Sequence, residues 1–201
     1  MTDASRAKPA IWFLDTSALI TLAVHPPLQS AVGAALSRHH RILATAIVNE
    51  LNDLAKGRDD TARWAKIALG QLAWLGEPVP IDVPTGTQLA RRLQQEVADE
   101  RPLRHRLEHY GEAVIVAMAC RAQRLAPYLL ADDFGARALA IRNNITSLSV
   151  HRLLHTMITA GDLCDTDAAE FAAVLHKAGR APDFTIEELR TGRLGRIGRP
   201  H

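Results

Sequence analysis

Aromatic residues are scarce in this sequence: three Trp, two Tyr and four Phe make up 4% of 201 residues. That argues against a surface that stacks a run of bases on exposed rings. Cysteine is nearly absent. Two residues, Cys120 and Cys164, cannot form a disulfide framework of the secreted kind, so a reducing cytoplasm is the expected compartment. No apolar run reaches the ~20 residues of a membrane span. The apolar stretch from Ile11 to Val24 contains Asp15, Thr16 and Ser17 and shows no small-residue cleavage site, so it does not read as a signal peptide and no membrane partner is expected. Charge of one sign is missing as well: 24 Lys and Arg against 22 Asp and Glu leave +2, too balanced to announce nucleic acid. No dinucleotide fingerprint or P-loop is present, because Gly192, Gly195 and Gly198 have the wrong spacing and no strand before them. Nor does any Ser-His-Asp or Cys-His set stand out.

What is present is an ordinary globular composition, 47% hydrophobic and 23% charged, in a chain suited to one domain. Residues 1–9 read as a polar lead-in ending in proline. Ile11–Leu14 is a short apolar run of the kind a buried parallel strand shows, followed by a helix from Ala18 to Val24 capped by Thr16 or Ser17. Pro26 and Pro27 start a helix running to about Arg38. A second strand is expected at 41–45, with Thr45 capping a helix to about Lys56, and another helix at 60–75. Residues 79–83, among three prolines, are at best an edge strand. Leu89, Leu93 and Val97 recur at helical spacing within 86–100. An apolar helix follows from Glu112, then a strand at 128–131, a helix to about Arg142 and a strand at 145–148. Residues 151–178 and 185–190 read as further helices. Strands alternating with helices predict an α/β fold, a three-layer α/β/α domain with a short parallel sheet over 10–150, extended by helices over 151–189.

The acids fall at telling places. Asp15 ends one strand and the Asp132–Asp133 pair ends another, while Glu50 and Glu112 sit early in helices. The carboxyl ends of parallel strands gather at one edge of a sheet, where ligands bind. Carboxylates gathered there repel by about 4 kcal/mol per pair at ~4 Å and an effective dielectric near 20. Such a cluster persists by sharing protons or by holding cations, and oxygen-only donors select Mg²⁺ or Mn²⁺. A cation so held beside a phosphodiester suits in-line hydrolysis by an activated water. Taken singly, Glu112 can serve a helix dipole, Glu50 a solvated helix face and Asp132 a turn.

Together these segments resemble a known family. The stretch Ile11-Trp12-Phe13-Leu14-Asp15-Thr16-Ser17-Ala18-Leu19-Ile20 looks like the opening strand and helix of a PIN domain, the ribonuclease fold of VapC-type toxins. Ala46–Leu51, Gly111–Ala119 and Leu129–Asp133 are similar to its second, third and fourth acidic motifs. The resemblance covers about residues 10–150. It implies metal-binding and catalytic acids at Asp15, Glu50, Glu112 and Asp133, with Asp132 as an adjacent candidate and Ser17 as a supporting hydroxyl. It further implies Mg²⁺ or Mn²⁺ as cofactor, RNA as substrate, a cognate antitoxin and a homodimer. Glu112 stands where many VapC toxins have Asp, and Ala131 where a Thr or Ser is common. The Asp-Asp pair followed by Arg137 is closer to a PIN subgroup described as nucleic-acid-binding.

Other signals compete. His105, Glu108 and His109 fit the H-x-x-E-H zinc pattern, with both histidines expected on one helical face, though a zinc site needs a further ligand. His151 and His155 are expected at a surface or interface, and Cys120 in the core. Arg137, one turn past the last acids, is a candidate for holding a substrate phosphate. Arg190, Arg193, Arg196 and Arg199 recur among glycines in a tail over 190–201, read as a flexible basic arm able to add phosphate contacts. Two rival functions remain: a PIN-type module that binds RNA or protein without catalysis, and a Mg²⁺-dependent phosphotransferase or phosphatase. Against the second, Ser17 stands where the haloacid-dehalogenase pattern has its second Asp.

Overall fold

The computed structural model describes residues 9–82, 84–100, 109–122 and 124–180. Four strands form one parallel sheet in the order β2-β1-β3-β4, flanked by helices as a three-layer α/β/α fold. They are β1 (Ala10–Leu14), β2 (His40–Ile42), β3 (Ala126–Leu130) and β4 (Thr146–Leu148). The central pair is in register from Ala10 opposite Ala126 to Leu14 opposite Leu130. Phe13 and Leu14 of β1 are almost wholly buried, as continuous apolar strands under two helical layers must be.

The helices between β1 and β3 are α1 (Thr16–Ala23), α2 (Pro26–Leu36), α3 (Thr45–Leu54), α4 (Asp60–Leu69), α5 (Thr85–Glu100) and α6 (Tyr110–Arg121). After β3 come α7 (Phe134–Arg142), α8 (Val150–Ala160) and α9 (Asp165–Lys177). One hydrophobic core takes in Phe13, Ile47, Ile115, Leu129, Leu154 and Leu175, so the helices beyond residue 150 complete the same core as the sheet. No helix among the described residues is long and apolar enough to cross a membrane.

Several local expectations are corrected. The cap of α1 is neither Thr16 nor Ser17 but Asp15, whose carboxylate accepts from the Ser17 N–H. Thr45 does not cap α3 but begins it, and Ala44 before it makes no side-chain cap. Strand β2 stops at Ile42; beyond it Ala44 makes an isolated parallel bridge to Val79, the whole of the expected 79–83 edge strand. The helix expected over 60–75 breaks at Gly70, and Leu72–Leu75 forms a 3₁₀ turn. His151, expected at a surface or interface, is buried within the described residues on α8, and Cys120 is half-buried rather than in the core. The lead-in over 1–8, the helix expected at 185–190 and the arginine tail lie outside the described residues.

Candidate active site

Between β1 and β3 the strand order reverses direction, and ligands of open parallel sheets bind outside the strand ends at that switch point. Asp15 follows β1 and Asp132–Asp133 follow β3. The Asp15 N–H donates to the Leu130 carbonyl at 3.0 Å, which ties the two strand ends together.

Asp15 is 4% exposed. Burial raises its carboxyl above the ordinary 3.8, against the hydrogen bonds from Ser17, and the nearby Asp133 charge adds to the rise. The Ser17 hydroxyl donates to Asp15 Oδ2 at 2.6 Å and accepts from the backbone N–H of Asp132 at 3.0 Å and of Asp133 at 3.1 Å. One hydroxyl thus joins the first acid to the turn that carries the last.

Glu50, on α3, joins them through Thr16, whose hydroxyl donates to Glu50 Oε2 at 2.9 Å. One side of Glu50 is open to solvent. On the other, crowding by protein, with repulsion from Asp15 and Asp133, pushes its carboxyl up to about 7, opposed by the Thr16 hydrogen bond and, less, by His109. Gly111 explains how close the helices come. A Cβ there would lie 2.6 Å from Glu50 Oε2 and 3.2 Å from the Ile47 side chain, so α6 approaches α3 as only glycine allows.

Glu112, beside Gly111, meets the His109 imidazole, with Nδ1 3.2 Å from Oε1. His109 adopts a left-handed backbone, φ 59°, immediately before α6, a conformation in which histidine is enriched among non-glycine residues. His109 itself is thus not in a right-handed helical turn, and it faces Glu112; His105 and Glu108, the other residues of the H-x-x-E-H pattern, lie outside the described residues. A groove of about 910 Å³ runs past Glu50, His109 and Glu112, with Thr45, Asn49 and Ile81 also in its walls.

The two strand-end aspartates separate. Asp133 is exposed, caps α7 by accepting from the Ala136 N–H at 2.9 Å, and contributes to the raised pKa values of both Asp15 and Glu50. Asp132 turns toward α8: its Oδ1 accepts from the Val150 N–H at 2.9 Å, and its charge is felt by His151 and Arg180. Burial lowers the His151 pKa while Asp132 opposes that shift. Arg137 holds the turn itself, its Nη1 donating to the carbonyls of Ala131 at 2.9 Å and Asp132 at 2.6 Å. Arg190, Arg193 and Arg196 lie outside the described residues.

The chain therefore brings Asp15, Glu50 and Asp133 into mutual electrostatic range, with Ser17 as the connector. Thr16 entered the sequence reading only as a helix cap, and Gly111 did not enter it as a close-approach residue. Their signals were present, since each adjoins a named acid. Among the described residues no three His, Cys, Asp or Glu side chains converge into a ready cation cage. In chemistry the donors still suit a hard cation: they are oxygen-only carboxylates, two of which, Asp15 and Glu50, feel the repulsion of their neighbours, and a divalent ion relieves that repulsion. Comparison with protein-family models, with curated proteins and with solved structures found no match.

Proposed function

We propose that this chain is a Mg²⁺- or Mn²⁺-dependent endoribonuclease of PIN type. The observation that carries the reading is the placement of Asp15, Glu50 and Asp133 at the switch point, where the Asp133 charge raises the proton affinity of Asp15 and of Glu50, and the Asp15 charge that of Glu50. Asp15, Glu50, Asp133 and Glu112 are the residues that would hold the cation. When bound, it supplies charge stabilisation and a more acidic water for attack on phosphorus. The chain's own contributions are positional. Ser17 keeps the Asp15 carboxylate facing the β3–α7 turn, Thr16 keeps Glu50 facing the strand ends, and Arg137 fixes the turn. RNA as the phosphodiester, a cognate antitoxin and a homodimer rest on the sequence resemblance, and a cytoplasmic setting on the scarcity of cysteine.

The test is direct. Purified protein is incubated with tRNA, rRNA and messenger fragments in Mg²⁺, Mn²⁺ or EDTA, alongside Asp15→Asn. The expected result is cation-dependent cutting that falls at least ~100-fold in the variant. Equal cutting by the variant, or none by folded wild-type protein in either cation, overturns the enzyme reading; binding without cutting turns it into the non-catalytic module.

A further inference from the structure

Three large hydrophobic side chains stand out among the described residues: Val79, Phe134 and Ile141, at 37%, 73% and 63% exposure. Phe134 is the most open, although Phe13, Phe171 and Trp12 are all packed inside. It is the first residue of α7 and directly follows Asp133, the cap of that helix and a member of the acid cluster. Helical Cα–Cβ bonds tilt toward the helix N-terminus, so the ring leans toward the end of the sheet where the acids gather. The next residue, Gly135, is exposed and adds no side chain beside the ring.

We propose that Phe134 is a stacking platform for one unpaired nucleobase of an RNA strand whose phosphodiester lies at the acid cluster. The inference rests on the ribonuclease reading and specifies its substrate as single-stranded at the cut. A lone ring suits a base better than a protein partner. Ile141, the other exposed apolar residue of α7, lies two turns away, roughly 10 Å along the helix axis, with Ala138 half-buried between them. The part of this stripe that adjoins Asp133 and the acid cluster is the flat aromatic face, which is where a base of a strand bound at the acids would lie. A base within a duplex has both faces covered by its neighbours and cannot use this ring, whereas any unpaired base has a free face. The contact therefore selects strand state and is nearly blind to base identity.

The experiment measures binding in an Asp15→Asn background, so that RNA survives. The probes are a short unpaired oligoribonucleotide carrying 2-aminopurine and the same sequence closed into a duplex. Phe134→Ala is expected to weaken unpaired RNA roughly 5- to 150-fold, the loss of one stacked base, with duplex affinity and melting temperature unchanged. Phe134→Trp restores affinity and quenches the fluorophore; Phe134→Leu, apolar but not aromatic, does not. Affinity indifferent to Phe134→Ala, full rescue by Leu, or equal loss on both probes overturns the stacking role alone. A protein that neither binds nor cuts RNA overturns the ribonuclease reading, and this inference with it.

Discussion

Ser17 and Thr16 show how neighbouring side chains at a strand end serve different distant partners. Thr16 reaches Glu50, 34 positions away, and Ser17 reaches the backbone of Asp132 and Asp133. Glu50 is the residue whose chemistry is most displaced, with a carboxyl pushed up to about 7 from an ordinary 4.5. Between those two values the folded chain binds a proton that the unfolded chain releases. Its contribution is therefore fully present below about pH 4.5 and is lost as pH rises through about 7. Glu50→Gln keeps an acceptor for Thr16 but cannot ionise. In EDTA, its melting temperature is expected to exceed that of the wild type at pH 8 and to match it near pH 5. Water on the open side of Glu50 screens the effect to about 1 kcal/mol, which is about 2–4 °C in a domain of this size. Parallel melting curves for the two proteins from pH 5 to 8 would show that Glu50 titrates normally. Asp15 was legible in the sequence because an acid against Trp12, Phe13 and Leu14 is costly without a purpose, whereas Glu50, which alone reads as a solvated helix residue, was legible only through the joint pattern of acids. The Thr16–Glu50 bond was not, since no local pattern encodes a contact between two elements.

At the scale of elements, the approach of α6 to α3 turns on Gly111. Alanine there has two opposing consequences. A helical Gly→Ala change stabilises by roughly 0.5–1 kcal/mol, while the new Cβ, 2.6 Å from Glu50 Oε2, forces that side chain aside. The blocking atom is the end of a flexible chain, so the displacement is cheap in folding energy and the two terms nearly cancel. It is costly in placement, because Glu50 loses its bond from Thr16. Gly111→Ala is thus expected to melt within ~2 °C of the wild type yet cut RNA about 100-fold more slowly; a variant that unfolds, or one that cuts at the normal rate, contradicts this. The apolar helices were legible from periodicity, α5 nearly to its ends. Their caps were less so, because a strand-end Asp followed by two hydroxyl residues offers three capping candidates, and tertiary contacts decide among them. The backbone pairing of Ala44 and Val79 in place of a strand has the same cause: prolines at 78, 80 and 84 remove the donors a longer ladder needs.

For the whole molecule, alternation of strands and helices predicted a parallel sheet, but strand order decides which acids meet. Nothing local specifies that β3 lies beside β1, and that adjacency alone brings Asp133 to Asp15 across 118 residues. It also separates the two acids at the end of β3: the Asp133 charge is felt by Asp15 and Glu50, while Asp132 accepts from the Val150 N–H of α8. The cost of this convergence is carboxylate repulsion, relieved at low pH by protons. At higher pH a divalent cation is the remaining remedy, and the two compete for Glu50. An ion that binds the folded chain alone adds about 2.7 kcal/mol at a concentration 100 times its Kd, or about 5–10 °C for a chain of this length. Mg²⁺ and Mn²⁺ are therefore expected to raise the melting temperature by that amount at pH 8, by distinctly less at pH 6, where Glu50 is largely protonated, and hardly at all in Asp15→Asn; EDTA reverses the gain. Scanning calorimetry at both pH values checks it. A gain that is equal at pH 6 and 8, or that survives in Asp15→Asn, would place the cation away from these carboxylates and leave the acid cluster to be stabilised by protons alone.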